Sequence, residues 1–191
     1  MALVIVGVLV VVGIVSVSGQ FCTPRDAVAR ALERAPDALK LMHEQSGPFF
    51  LVYHSRNSSF RHAYPCLRVV RIPQVHNNRT TYQYDYQSMT GIQFGQRPVG
   101  LDKTDEAYPY PNEFTINIGH GHEKILQDFQ VIYTDYRHCV LFWSWSLGYQ
   151  VWVESSYLKT RRKVPEVCYL VYELLEPRTR HIVYKWKRCE K

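Results

Sequence analysis

Residues 80–87 alternate strictly between aromatic and polar side chains. Tyr82, Tyr84 and Tyr86 fall on one face, and threonine, glutamine and aspartate residues fall on the other. A period of two is typical of a strand with one buried face and one solvated face. The pattern therefore predicts β-structure in the middle of the chain. It also offers a buried place for some of the aromatic residues, which make up 14% of the sequence.

Further short apolar segments, separated by glycine, proline and aspartate, predict more strands on both sides of this one. The predicted strands are 49–54, 66–72, 80–87, 114–118, 129–133, 139–146, 149–154 and 182–186. The pair 139–146 and 149–154 is separated by Leu147-Gly148 and is a hairpin candidate. Seven or eight strands of this length are typical of an all-β barrel or sandwich.

Helical segments are predicted near both ends of the chain. Thr23-Pro24 supplies a helix start, residues 37–43 predict a second short helix, and 165–175 predict a C-terminal helix between two prolines. Segment 95–111 is rich in glycine, proline and aspartate and predicts a long loop, and 159–163 predicts a basic loop. The two terminal helices favour a closed, ligand-holding antiparallel barrel, although composition does not decide between barrel and sandwich.

The first nineteen residues contain no charged side chain, and residues 2–17 are almost wholly apolar. Val17 and Gly19 stand at the −3 and −1 positions of a cut before Gln20, which is the pattern of a secretory signal peptide. A transmembrane anchor is the alternative, but the run is short and lacks a basic flank. We therefore expect a signal peptide over 1–19, one mature domain over 20–191, and a secreted, extracellular protein without a membrane association.

Secretion makes the cysteines disulfide candidates, because the extracellular compartment is oxidising. The five cysteines are Cys22, Cys66, Cys139, Cys168 and Cys189. Four of them can pair, several pairings are open, and one is left over. The absence of a Cys-x-x-Cys motif argues against a zinc ribbon or a thioredoxin-like site. Sequons at Asn57 and Asn78 predict glycosylation in the same compartment.

Catalytic and nucleic-acid functions find little support. Asp135 and His138 are spaced like a catalytic pair, but no serine stands in a nucleophile elbow. His120 and His122 have no third metal ligand beside them, and an exposed loop explains them better. The basic residues of 161–163 and the C-terminal tail are interpreted as surface charge, since no nucleic-acid motif accompanies them. No enzyme, metal or cofactor is expected.

Three features in the second half of the chain carry a family resemblance. Cys139 begins an aromatic strand, Trp152 lies on the strand that follows, and Cys168 comes next in the predicted helix. This order, with the preceding segment 133–138 and the early aromatic strand 49–53, resembles the tick salivary lipocalins, which include the histamine-binding proteins. The resemblance covers essentially all of 20–191. It implies an eight-stranded antiparallel lipocalin barrel with a short N-terminal helix and a C-terminal helix.

The resemblance also implies a disulfide pattern. It pairs Cys66 with Cys189 and Cys139 with Cys168, although the sequence alone allows other pairings. Relatives with an additional N-terminal disulfide carry a second cysteine near the position of Cys168, where this chain has Val167 and Tyr169. Cys22 is therefore expected to be free or to pair with another chain.

The amine-binding members of this family have an acid directly after the first cysteine of the hairpin and a glutamate two residues before the tryptophan. This chain has Val140 and Gln150 at those positions. A buried ammonium needs a carboxylate to offset its desolvation, and an amide does not neutralise a cation. Asp85 or Glu113 would have to act as a substitute. The missing acids favour a lipid ligand over a biogenic amine such as histamine.

The resemblance and the aromatic strands together predict a set of ligand-binding side chains inside the barrel. These candidates are Tyr53, Tyr82, Tyr84, Asp85, Phe114, Trp143, Trp145, Gln150 and Trp152. Possible anchors for a lipid carboxylate are Arg68, Arg71, Tyr82 and Tyr84.

We therefore expect a lipocalin that sequesters a small host inflammatory mediator. The alternative is a lipocalin whose outer loops bind a host protein, for example a complement factor. That alternative depends on the predicted 95–111 loop and on Cys22.

Overall fold

The computed structural model describes residues 24–32, 35–76, 79–117 and 125–190. The predicted signal peptide, Cys22, Asn78 and the pair His120 and His122 lie outside these described residues. Helices within the described ranges are all too short, or not apolar enough, to cross a membrane.

Nine strands and six helices are present in the described residues. Their order is α1 Pro24–Ala31, α2 Ala38–Glu44, β1 Phe49–His54, α3 Phe60–Ala63, β2 Arg68–His76, β3 Arg79–Ser88, β4 Gly91–Asp102, β5 Glu113–Asn117, β6 Leu126–Thr134, β7 Cys139–Ser144, β8 Gly148–Glu154, α4 Ser155–Arg161, α5 Glu166–Leu175, β9 His181–Ile182 and α6 Trp186–Cys189. Each strand from β2 to β7 pairs antiparallel with the one that follows it in the chain.

Strand β1 closes the sheet into a barrel. It pairs antiparallel with β8 along most of its length and with β2 through Phe49 opposite Val69 and Phe50 opposite Arg68. The short β9 adds to the other end of β1, with Ile182 opposite Tyr53. This arrangement confirms the predicted eight-stranded antiparallel barrel. The predicted β7–β8 hairpin and the C-terminal helix are present as well.

Two separate clusters of apolar side chains hold the barrel together, one inside it and one between its outer face and α5. Strand β1 contributes to both, because Phe49 and Leu51 point into the barrel while Phe50 and Val52 point outward. A strand buried on both faces is continuously apolar, as β1 is. An irregularity in the pairing with β8 between Leu51 and Tyr53 places Tyr53 in the outer cluster next to Val52.

The long loop predicted over 95–111 is wrong in its first half, because residues 95–102 belong to β4. Residues 91–100 of β4 pair one for one with β3. Gly95 sits against the Tyr84 side chain, where a Cβ atom would overlap the phenol ring. The glycine is there for close packing across two strands and does not mark a turn. The loop that remains spans residues 103–112.

The basic loop predicted over 159–163 is also wrong at its start, since α4 extends to Arg161. The Glu154 carboxylate caps this helix by accepting hydrogen bonds from the backbone N–H groups of Ser156 (2.9 Å) and Tyr157 (2.8 Å). Arg162 ends it in the left-handed conformation. The cap comes from the last residue of β8, so the strand leads directly into the helix.

Two disulfides attach the helical parts to the barrel, and both have the pairing that the resemblance implies. Cys139–Cys168 joins β7 to α5, and Cys66–Cys189 joins the start of β2 to the C-terminal tail. The first closes a loop of 29 residues, and a disulfide restricts the unfolded chain more strongly as its loop lengthens.

Replacing both Cys139 and Cys168 by alanine should lower the free energy of unfolding by about 3–4 kcal/mol, because the unfolded chain loses this constraint. Urea unfolding followed by tryptophan fluorescence measures the change. A loss below about 1 kcal/mol would show that the cross-link adds little to the packing of α5.

His54, at the end of β1, is fully buried at 0% exposure. Its ring stacks on His181 at 5.3 Å between centroids and meets the edge of Phe60 at 6.0 Å. Burial lowers the pKa of His54 from 6.5 to about 4, and the neighbouring His181 and Arg61 act in the same direction. The neutral imidazole is therefore the form that the folded protein accommodates.

A pH-dependent loss of stability follows from this pKa. Because the folded-state pKa lies below the unfolded value of 6.5, the stabilisation is complete above pH 6.5 and is lost as the pH falls towards 4. The expected loss from this group is about 3 kcal/mol. His54→Phe keeps an aromatic ring and should flatten the stability profile between pH 6.5 and 4 in urea titrations. An unchanged slope in that variant would rule out His54 as the group responsible.

Candidate ligand-binding cavity

The barrel encloses a cavity of about 500 Å³. Leu41 and Gln45 reach it from α2, and Phe60 and Tyr64 reach it from the segment that joins β1 to β2. The full lining is Leu41, Gln45, Phe49, Phe60, Tyr64, Leu67, Val69, Tyr82, Tyr84, Arg97, Val99, Phe114, Ile116, Gln127, Phe129, Val140, Phe142, Ser146, Leu147, Gln150 and Trp152. A volume of this size lies within the range of small-molecule sites.

The wall of this cavity is mainly aromatic and aliphatic, and its charge is positive. Among the described residues that line it, none carries a carboxylate, and Arg97 carries a guanidinium. A low-dielectric cavity with such a wall disfavours a cationic ligand, because no described carboxylate compensates for the water lost from the cation.

Gln150 is fully buried at 0% exposure and already has hydrogen-bond partners. Its Nε2 donates to Ser144 Oγ at 2.8 Å, and its Oε1 accepts from Trp152 Nε1 at 3.2 Å. Val140 lies on β7 opposite Trp152 and is also buried. The two positions where amine-binding relatives carry acids therefore hold an alkyl group and a neutral amide engaged within the wall.

Three polar side chains form a row across β2, β3 and β4. Arg71 stands opposite Tyr82, and Tyr82 stands opposite Arg97. Residues directly opposite on neighbouring strands share a face, and Tyr82 and Arg97 line the cavity. The Arg71 Nε atom is buried without a hydrogen-bond partner in the described part of the chain. Arg71 does not line the cavity, so Arg97 is the member of this row that brings a guanidinium to it.

Tyr82 is held at the centre of this row. Its hydroxyl donates to Gln45 Oε1 at 2.6 Å, which connects β3 to the end of α2. Burial raises the pKa of Tyr82 well above 10, and the positive charge of Arg71 opposes part of that increase. The Arg97 guanidinium lies 5.9 Å from the centroid of the Tyr84 ring and donates to the Gln96 carbonyl at 3.2 Å. No other hydrogen bond of the Arg97 guanidinium is present among the described residues.

Five of the nine predicted ligand-binding residues line the cavity: Tyr82, Tyr84, Phe114, Gln150 and Trp152. They come from strands β3, β5 and β8, so residues far apart in sequence meet around one volume.

Four predicted residues lie outside the barrel, which corrects the expectation that they face its interior. Tyr53 is turned outward by the irregularity in β1 and packs edge-on against Tyr172 at 4.7 Å. Asp85 follows Tyr84 and points to the opposite face, where it pairs with Arg68 at 2.7 Å. Arg68 is therefore an outer residue too, and the structure places this candidate anchor away from the cavity.

The remaining two are tryptophans of the β7–β8 hairpin. Phe142 lines the cavity, so its neighbour Trp143 packs in the outer cluster, with the Arg25 guanidinium 3.7 Å from its ring centroid. Trp145 lies in the turn after β7 and is 72% exposed. Both positions are aromatic in the sequence, and nothing in the sequence distinguishes the inner face of β7 from the outer one.

Glu113, the other acid considered as a substitute, also lies away from the cavity lining. It lies on β5 opposite Asp102 of β4, and Asp128 lies on the other neighbouring strand, β6. Burial raises the pKa of Glu113 to about 7, and the charges of Asp128 and Asp102 add to the increase. Neither Asp85 nor Glu113 therefore replaces the missing carboxylates in the wall.

Arg97 is a cavity residue that the sequence interpretation missed. It falls in the segment predicted as a loop, where a side chain has no defined face. The available signal was the register of a β3–β4 hairpin. If residues 91–100 are taken as a strand that continues through Gly95 and Pro98, that register places Arg97 opposite Tyr82.

The fold and the cavity define a lipocalin, and solved structures support this class. The chain is similar to AM182 in its serotonin complex, with 16% identity, a TM-score of 0.59, and coverage of 79% of this chain and 91% of that one. It is also similar to insecticyanin from the tobacco hornworm Manduca sexta, with 12% identity, a TM-score of 0.59, and coverage of 76% and 82%.

A third similar structure is the cockroach allergen Per a 4, with 12% identity, a TM-score of 0.50, and coverage of 80% and 91%. A search of curated proteins finds no match. The family described as tick histamine binding protein matches residues 27–191. The chain therefore belongs to the tick histamine-binding protein family, and it is a lipocalin of a kind that binds small ligands.

Gln150→Glu should destabilise the folded protein at pH 7 by about 2 kcal/mol, because it buries a carboxylate beside two neutral groups, Ser144 Oγ and Trp152 Nε1, with no described cation to offset its charge. The loss should shrink below pH 5, where the introduced acid is protonated. Gln127→Glu is the matched control, since Gln127 also lines the cavity but is only half-buried. If urea unfolding showed that both substitutions lower the free energy of unfolding equally, burial at position 150 would not be the cause of the loss.

Proposed function

We propose that this chain is a secreted lipocalin that binds and sequesters an apolar host mediator with a carboxylate, such as a leukotriene or another fatty-acid derivative. The observation that carries the proposal is the cavity wall, in which the described residues include Arg97 and no acid. The protein acts by stoichiometric binding, with no turnover of the ligand.

The charge of the wall argues against an amine ligand. An ammonium moved into this cavity loses its water, and the described lining gives it no carboxylate in return. Attraction to the face of Trp152 contributes about 0.5–2 kcal/mol, which does not offset the loss. The similarity to AM182, whose structure contains serotonin, therefore supports the fold and a small-molecule site in this chain, while the ligand class differs.

The same wall suits a fatty acid. Arg97 provides N–H donors for the carboxylate at one side of the cavity, and charge-assisted hydrogen bonds of this type are short and strong. Phe142 lies between Phe114 and Phe129, with ring centroids 5.4 Å and 6.4 Å away, and the three rings form an aromatic surface against which an alkyl or polyene chain packs. Arg71 adds positive charge behind Tyr82.

Secretion is part of the proposal. The apolar, uncharged segment 1–19 has the pattern of a signal peptide, and two disulfides are stable in an oxidising compartment. Asn57 is exposed in the segment after β1, where a glycan would not disturb the barrel.

Binding of a host protein, for example a complement factor, is the second candidate function. The predicted 95–111 loop supports it less, because residues 95–102 are strand and the loop is shortened to residues 103–112. A different observation supports it: Met89, Ile92 and Phe94 are exposed around the turn between β3 and β4. Apolar side chains grouped in this way are typical of a contact surface.

Calorimetric titration with oleate and with histamine tests the ligand class. We expect one equivalent of oleate to bind with a micromolar or lower Kd, and histamine to give no signal at the same concentrations. Arg97→Gln should weaken oleate binding about 10- to 50-fold, since it removes the charge-assisted hydrogen bonds.

Arg68→Gln is the matched control, because Arg68 lies on the outer face of the same sheet and pairs with Asp85. It should leave oleate affinity unchanged. Nanomolar binding of histamine, or an equal loss of oleate affinity in both variants, would overturn the proposal.

A further inference from the structure

A second cavity of about 440 Å³ lies outside the barrel. Its floor is the outer face of β1 at Val52 and Tyr53, and its sides are the connection between α4 and α5, Tyr169 of α5, and the tail from Arg180 to Trp186. We call it the outer cleft. It shares no described lining residue with the barrel cavity, so a ligand in one does not touch the wall of the other.

Aromatic rings form much of the outer cleft. Tyr53, Tyr169, Tyr184 and Trp186 all line it, and Trp186 meets Tyr184 edge-on at 5.1 Å. The Arg180 guanidinium lies 4.8 Å from the Tyr169 ring centroid and 5.5 Å from that of Tyr53. Rings and a planar guanidinium arranged in this way offer stacking surfaces to a flat apolar group.

The charge of the lining is positive. Arg162, Lys163 and Arg180 line the outer cleft, against one carboxylate, that of Glu166. The Lys163–Glu166 pair is exposed, and exposed pairs of this kind exchange partners easily because they contribute little stability. Arg162 is 4.0 Å from Glu190, and Arg180 pairs with Glu173, but neither of these carboxylates lines the cleft.

A hydrogen-bond donor in the floor has no partner. The Tyr53 side chain is 5% exposed, and its hydroxyl is buried without a hydrogen-bond partner in the described ranges. Burial raises the pKa of Tyr53 to about 12, so the hydroxyl keeps its proton at neutral pH. An oxyanion at the floor of the cleft would satisfy this donor and would stand close to Arg180.

We propose that the outer cleft is a second ligand site, specific for an organic anion that joins one carboxylate or sulfonate to a flat apolar body. The cations of Arg162, Lys163 and Arg180 attract the anionic group, and the aromatic rings hold the body. The site goes beyond the proposed function, since it lies outside the barrel and depends neither on Arg97 nor on the ligand bound there.

The probe is 2-naphthoate, and its neutral counterpart is 2-naphthamide. Both are titrated into the ¹⁵N-labelled protein, and the indole N–H signals are followed by NMR, which reports local contact. Trp186 lines the outer cleft and Trp152 lines the barrel cavity, so the two sites have separate reporters. Trp186→Phe and Trp152→Phe assign the two signals. We expect 2-naphthoate to shift the Trp186 signal with saturation, and 2-naphthamide to do so at least tenfold more weakly.

Arg162→Gln combined with Lys163→Gln should weaken the 2-naphthoate effect on Trp186 at least tenfold. Lys159→Gln combined with Arg161→Gln is the matched control, because these exposed residues of α4 do not line the cleft and their loss changes the net charge equally. The control should retain the affinity of the unmodified protein.

Three results would overturn the proposal: no saturable shift of Trp186, equal affinity for the acid and the amide, or equal losses in the two double variants. Failure of the barrel proposal is visible separately, as an absence of oleate binding or of an effect of Arg97→Gln, and it leaves the Trp186 measurement valid.

Discussion

The structure depends on strand β1, which is buried on both faces. Phe49 and Leu51 pack inside the barrel, Phe50 and Val52 pack under α5, and the backbone pairs with β8, β2 and β9. Burying apolar surface on two sides of a single strand joins the barrel core and the outer layer into one folding unit. The same strand separates the two cavities, since its inner face borders one and its outer face forms the floor of the other.

The inner and outer faces of the barrel differ in charge: the described cavity lining has an arginine and no acid, whereas acidic side chains of the same strands lie outside it. Asp85 on β3 and Glu113 on β5, the two acids considered as substitutes, do not line the cavity, and Asp85 pairs with Arg68 on the outer face. The cavity lining keeps one guanidinium, three phenols, and amides that already have partners. The described side chains of the wall therefore carry a positive charge and no carboxylate, which is the charge on which the proposed anionic ligand depends.

How much of this could be predicted depended on whether each strand has one buried face or two. The alternation in β3 placed Tyr82 and Tyr84 inside, because one face of that strand is polar. Strands β1 and β7 are apolar on both faces, so Tyr53 and Trp143 offered no sign that they point outward. The position of Arg97 was hidden for another reason: Gly95 and Pro98 look like turn residues, and their packing against β3 becomes visible only in three dimensions.

Among the strand pairings that close the barrel, β1–β2 has the fewest paired residues. It consists of two paired positions and the hydrogen bond from the Leu51 N–H to the Leu67 carbonyl at 3.0 Å. Directly beside it, the Cys66 N–H donates to the Val183 carbonyl, and the Cys66–Cys189 disulfide fastens the tail. The disulfide thus adds a covalent link beside the β1–β2 pairing, which has the fewest paired positions in the barrel. Reduction of this disulfide would release the tail from the start of β2. Closure of the barrel is therefore coupled to the redox state of the compartment, and an oxidising one keeps the disulfide formed.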